Sequence, residues 1–193
     1  MNDSMNYMKG DFVDGSNFTA SYRIIDRDES DAIEEFLRVS GTNDVTYLKL
    51  WCIYIDTDRL VSIIKTLKVN KTITNLHIGD NNNIIGDGIA FAIADMLKVN
   101  RIVSTIRLTY SQMRHAGAGF ISDALRVNRT LETLDIGNNN IGYQGAFCLA
   151  EALKVNRGVS TVNINNNNIG AAGAESIAGC LMKNTSLTFM NIG

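Results

Sequence analysis

The chain has 193 residues, with 18 Lys and Arg against 20 Asp and Glu for a net charge of −2, and 45% of it is hydrophobic. That is the composition of a folded domain rather than a disordered segment. A near-neutral chain carries no electrostatic footprint for nucleic acid or an anionic membrane, and no run approaches the roughly 18 apolar residues that span a bilayer.

Taken in chain order, residues 1–20 are polar, rich in Asn, Asp, Met and Ser, and read as a mobile N-terminal segment. Met1–Met5 lacks a basic end followed by an apolar stretch, so no secretory signal is expected. Residues 21–44 read as an N-terminal cap or half repeat, with Tyr22–Asp26 an edge strand or cap. Within it, Asp31–Val39 has the spacing of a helix, capped by Ser30 or Asp31.

From residue 45 to residue 193 the chain repeats itself. The phrase Leu-Lys-Val-Asn, or a close variant, ends at Asn70, Asn100, Asn128, Asn156 and Asn184, spaced 30, 28, 28 and 28. A second marker, Leu50, Ile78, Leu108, Ile136, Ile164 and Ile192, is spaced 28, 30, 28, 28 and 28. One two-residue insertion between Gly79 and Gly86 accounts for both departures. A fixed period of this length is the signature of a stacked array, about five repeats plus a final strand.

Each unit has two halves. Leu131, Leu134, Ile136, Asn139 and Ile141 read L-x-x-L-x-L-x-x-N-x-L, with strand alternation at Leu134 and Ile136 and a turn at Asn139. The trios Ala90/Ile93/Leu97, Ala118/Ile121/Leu125, Ala146/Leu149/Leu153 and Ala174/Ile177/Leu181 have helical spacing. Asn100, Asn128 and Asn156 then read as left-handed helix C-caps. There is no proline, so turns fall to Gly, Asn and Asp. A parallel sheet needs a crossover between its strands, and the helix supplies it.

These residues resemble the leucine-rich repeat family in its long-repeat, ribonuclease-inhibitor-like class. Within that class, Ala90–Asn100 is similar to the repeat domain of the tropomodulins, actin filament pointed-end cappers, and NOD-like receptor repeats share the phrase. The resemblance implies an α/β fold: a right-handed curved solenoid with a parallel sheet on the concave side and helices on the convex side. On that layout Asn81, Asn139 and Asn167 form a structural ladder, their amides bonding backbone groups of adjacent units. Ile53 and Ser111 interrupt it, and after the insertion Asn82 or Asn83 is an alternative to Asn81. The chain stops on the strand Phe189–Ile192, an uncapped edge: either the array continues in a longer protein or the edge meets another chain.

Catalytic and metal-binding patterns are missing from the sequence. His77 lies on the sheet face and His115 in a strand-to-helix turn, with no HExxH, GxSxG, P-loop or ligand-spaced cluster around either. Gly86, Gly88, Gly137, Gly142 and Gly145 read as turn glycines of the repeat rather than a phosphate-binding loop. Cys52, Cys148 and Cys180 have no CxxC spacing and read as reduced, cytoplasmic thiols, with Cys180 a buried filler and Cys148 half-exposed. Asp95/Lys98, Asp123/Arg126 and Glu151/Lys154 read as solvated i, i+3 pairs on the outer helices. No catalytic residue, metal or cofactor is expected.

The variable residues inside the fixed frame carry the function. Outward positions on successive strands are Tyr47, Lys49 and Trp51; His77; Arg107 followed by Tyr110; and Asp135, with small polar residues beyond. Aromatic residues and arginine dominate interface energetics. Tyr47, Lys49, Trp51, His77, Arg107 and Tyr110, with Asp135 at the margin, are therefore the expected contact patch of a non-enzymatic scaffold for a protein or peptide partner. Trp51 and Tyr47 covering the open end of the solenoid is the structural alternative. An actin-filament-end regulator, or a module self-assembling through Phe189–Ile192, are the functional ones.

Overall fold

Alternating segments become strands and three-spaced apolar segments become helices. The structure, a computed structural model, describes residues 13–14, 16–21, 24–38, 45–79 and 86–193. The strands are β1 (Val13–Asp14), β2 (Asn17–Ser21), β3 (Tyr47–Trp51), β4 (Asn75–Gly79), β5 (Thr105–Arg107), β6 (Thr133–Asp135), β7 (Thr161–Asn163) and β8 (Phe189–Asn191). Between them lie α1 (Arg27–Arg38), α2 (Thr57–Thr66), α3 (Gly86–Val99), α4 (His115–Leu125), α5 (Gly142–Leu153) and α6 (Gly170–Leu181). All the strands form one sheet in sequence order, parallel throughout from β2 to β8, with β1 antiparallel at the edge.

The repeat becomes a register. Leu48, Leu76, Ile106, Leu134, Val162 and Met190 stand side by side across the strands, and all but Met190 are buried. Leu50, Ile78, Leu108, Ile136 and Ile164 form a second buried ridge. Both ridges pack against the helices in one continuous core running from Phe18 to Cys180. Neighbouring strands sit about 4.8 Å apart while packed helices need roughly 8–10 Å, so the stack bends toward its sheet. The helices approach closely through a small-residue column. A Cβ on Gly145 would lie 3.0 Å from that of Ala118, and one on Gly173 3.1 Å from that of Ala146.

The N-terminal edge differs from the sequence reading. Asn17–Ala20, placed in the mobile segment by its polarity, belongs with Ser21 to a sheet strand in register with β3, with Phe18 and Ala20 buried. The first helix starts a turn earlier than Ser30 or Asp31. Asp26 Oδ1 accepts from the Glu29 amide at 2.9 Å and Glu29 Oε2 from the Asp26 amide at 3.2 Å, a reciprocal cap. Tyr22, Val39 and Ser40 lie outside the described residues.

The repeated Asn after each helix also has a different role. Asn100, Asn128 and Asn156 do not adopt left-handed backbone; the capping residues Arg126 and Lys154 precede them in right-handed conformation. The asparagines are buried and tie one unit to the one before. Asn128 Nδ2 donates to the Leu97 carbonyl at 2.8 Å, while its Oδ1 accepts from the amides of Thr130 and Leu131 at 2.9 and 2.8 Å. Asn70, Asn100, Asn156 and Asn184 repeat this with Leu37, Leu67, Leu125 and Leu153. Helix-end carbonyls have no partner inside their own helix, and buried in a stack they must find a donor elsewhere.

On the other side of the strands, Asn139 Nδ2 donates to the carbonyls of Leu108 and Ile136 at 2.7 and 2.9 Å. Its Oδ1 accepts from the amides of Ser111 and Met113 at 3.0 and 3.1 Å. Asn167 bonds the Ile136 and Ile164 carbonyls at 2.8 and 3.0 Å. Ile53 fills its position with a buried aliphatic side chain. Asn81, Asn82 and Asn83 lie outside the described residues.

The glycine column divides. Gly142 has φ +63°, as a turn glycine does, whereas Gly145 lies within α5 and serves close packing. Glu151 pairs with Lys154, and Asp123 with Arg126 at 4.0 Å, but Asp95 takes Lys68 from the preceding unit instead of Lys98. Cys180 is buried, which raises its thiol pKa, and Cys52 and Cys148 are half-buried.

Candidate functional site

The pleat sends alternate side chains away from the core, so the outward residues of β3, β4 and β5 share one surface. Lys49, His77, Arg107 and Asp135 are direct neighbours in register on four successive strands. Tyr47 Oη and His77 Nδ1 are in hydrogen-bond contact at 3.3 Å. The Trp51 ring lies 4.7 Å from the His77 ring, centre to centre, and meets Tyr110 edge-on at 6.3 Å. Lys49 Nζ sits 5.7 Å from the Trp51 ring centre, within cation–π range. Five of the seven expected patch residues are thus linked by contacts, with Arg107 beside His77 and Asp135 beside Arg107 in register.

Two backbone features make the cluster possible. Gly79 lies directly across from Trp51 in register. A Cβ there would come within 2.9 Å of Trp51 Cζ3 and 2.2 Å of the Thr109 carbonyl oxygen. The missing side chain lets the indole lie across β4 toward Tyr110. Tyr110 itself has φ +54°, and it occupies the column held by Asn138 (φ +56°) and Asn166 (φ +52°) in later units. Asparagine tolerates left-handed backbone and tyrosine disfavours it, so the aromatic ring is displayed at a conformational cost of about 1 kcal/mol. Sequence reading missed both features, although the Tyr-for-Asn exchange within an aligned column is visible in the repeat.

The electrostatics follow from the row. Burial, then Lys49, then Arg107 push His77 down to about 4, so its ring is neutral at physiological pH. Among the described residues, neither Lys49 nor Arg107 forms an ion pair. Asp135 Oδ1 accepts from Asn163 Nδ2 at 2.9 Å and from the Gly137 amide at 3.1 Å. In the turns after β6 and β7 the polar side chains bond one another: Asn166 with Asn138 at 2.9 Å and Asn168 with Asn140 at 3.1 Å. Trp51 is not at the open end of the stack, since β2 pairs alongside β3.

On the helix side, Phe91 and Phe120 meet edge-to-face at 5.2 Å. Phe120 and Phe147 flank a groove of about 300 Å³ between α4 and α5, with Cys148 in its lining. Among the described residues, no group of three or more His, Cys, Asp or Glu could hold a metal ion. No helix among them is long and apolar enough to cross a membrane.

Residues 69–94, 127–150 and 155–178 match the family model described as Leucine Rich repeat. No curated protein matches the chain by sequence. Among solved structures, the chain is similar to a fragment named Leiomodin-1 Actin-Binding Site 2, with TM-score 0.62 and 22% identity over 72% of this chain and 80% of that one. It is also similar to the tropomodulin C-terminal domain of Caenorhabditis elegans, with TM-score 0.59 and 11% identity over 72% of this chain and 83% of that one.

Proposed function

We propose that this leucine-rich-repeat solenoid is a non-enzymatic scaffold that binds a protein or peptide partner on its concave sheet face, through Tyr47, Lys49, Trp51, His77, Arg107 and Tyr110, with Asp135 at the margin. The observation that carries the reading is the ring cluster of Trp51, His77 and Tyr110 gathered across β3–β5 and bordered by two cations without ion pairs among the described residues. A rigid, pre-formed surface limits the ordering cost of association. The thiols of Cys52, Cys148 and Cys180 suit a reducing, cytoplasmic compartment. The 28-residue period supports the ribonuclease-inhibitor-like class.

The test is retention of partners by the intact chain and by the Trp51→Ala/Arg107→Ala variant, followed by the affinity of each retained protein. Central aromatic and arginine anchors contribute about 2 kcal/mol or more each, so the double variant should lose affinity by roughly a hundredfold or more. Unchanged affinity in a folded variant would remove the sheet face from the function.

A second reading, engagement of an actin filament end, draws on the actin-binding name of the leiomodin-1 fragment and on the tropomodulin-like phrase at Ala90–Asn100. The first reading is favoured because the likeness at 22% identity is one of fold. A pointed-end elongation assay separates the two.

A further inference from the structure

The sheet-face reading leaves the chemistry of the occupant open, and the row Lys49–His77–Arg107 narrows it. The three residues are register neighbours on adjacent strands, so the two cationic positions lie about 10 Å apart with a single ring between them. Long side chains spanning that distance can converge on one carboxylate, or hold two consecutive ones. The carboxylate next in the row does not occupy them, because Asp135 is held by Asn163 and the Gly137 amide. The row changes sign at Asp135 and continues through the uncharged Asn163 and Asn191. A cationic track long enough for a nucleic-acid backbone is therefore not continued along the sheet.

We propose, resting on the sheet-face reading, that β3–β5 take an extended acidic peptide segment: a carboxylate seated over His77 between Lys49 and Arg107, with a neighbouring apolar side chain on Trp51 and Tyr110. The neutral imidazole offers a hydrogen-bonding floor without competing for the anion. Lys49 beside the Trp51 ring places charge and apolar surface within one side chain's reach. Asp135, two strands beyond His77 and roughly three extended residues away, favours a basic or neutral residue there over a second acid.

Trp51 is the single tryptophan of the chain, so its emission reports occupancy of this site. The probes are short synthetic peptides alternating Glu with Leu and Ser, the same peptides with Gln or Lys in place of Glu, and oligodeoxythymidylate. They are titrated into the full chain and into Lys49→Gln/Arg107→Gln. The Glu peptide should saturate the Trp51 signal and weaken with salt. The Gln peptide, and the Glu peptide on the variant, should each bind about tenfold more weakly or worse. The peptide charge series on the unaltered protein keeps the test decisive if the variant is poorly folded. A Gln or Lys peptide binding as tightly as the Glu peptide would overturn the acidic-segment inference while leaving the sheet-face reading intact. Tighter saturation by the oligonucleotide, or no response to the Glu peptide, would overturn it too, and the affinity loss of Trp51→Ala/Arg107→Ala then judges the sheet face separately.

Discussion

Tyr110 shows how one position can serve display at the expense of stability. Its column demands left-handed backbone, which Asn138 and Asn166 adopt with residues suited to it. Tyr110→Asn is expected to raise stability by about 0.5–1 kcal/mol while weakening partner binding, a pair of opposite shifts that denaturant midpoints and affinity measurements would read together. A variant less stable than the parent would mean the ring's contact with Trp51 outweighs the strain. His77 gives a pH signature. An unfolded histidine titrates at 6.5 and His77 in the fold at about 4, so the unfolded chain takes up the proton first. The stability associated with the neutral ring is complete above pH 6.5 and is lost as pH falls toward 4. Screening of a half-buried ring leaves an expected loss of about 1–2 kcal/mol. Urea midpoints measured at falling pH should decline less steeply in His77→Gln than in the parent.

At the level of elements, the period was legible because leucine-type residues recur in columns that are buried in every unit but the last. The Asn after each helix was legible as a position and misread as a role, because the hydrogen bond from its Nδ2 ends in the preceding unit. Asp95 and Lys68 are paired across units for the same reason, and no spacing within one helix announces it. The start of α1 was open to reading, since Asp26 and Glu29 have the three-residue spacing of a reciprocal cap. β2 offered only Phe18 and Ala20 as alternation in a polar stretch. The second ladder yields a strong expectation. Asn128→Ala would leave the Thr130 amide and the buried Leu131 amide without this partner, while the Leu97 carbonyl keeps Arg101 Nη1 at 3.2 Å. At about 1–3 kcal/mol for each unsatisfied group, partly relieved by relaxation, the variant should lose roughly 3 kcal/mol, and equilibrium denaturation checks this. A loss under about 1 kcal/mol would mean the unit closes without the side chain.

For the whole molecule, the sheet's inner position follows from the unequal spacing of strands and helices, and the patch follows from which residues the register sets side by side. The aromatic cluster was legible as a list of outward residues. Its cohesion depends on Gly79 having no side chain, a contact between neighbouring strands that a one-dimensional pattern does not rank above any other glycine. The asparagines also all reach one way, each donating to the unit before it: Asn100 to Leu67, Asn128 to Leu97, Asn156 to Leu125 and Asn184 to Leu153. During synthesis, each fresh turn of the coil would therefore bring the amide that seals its predecessor. Closure of each turn's helix end thus depends on the turn that follows it.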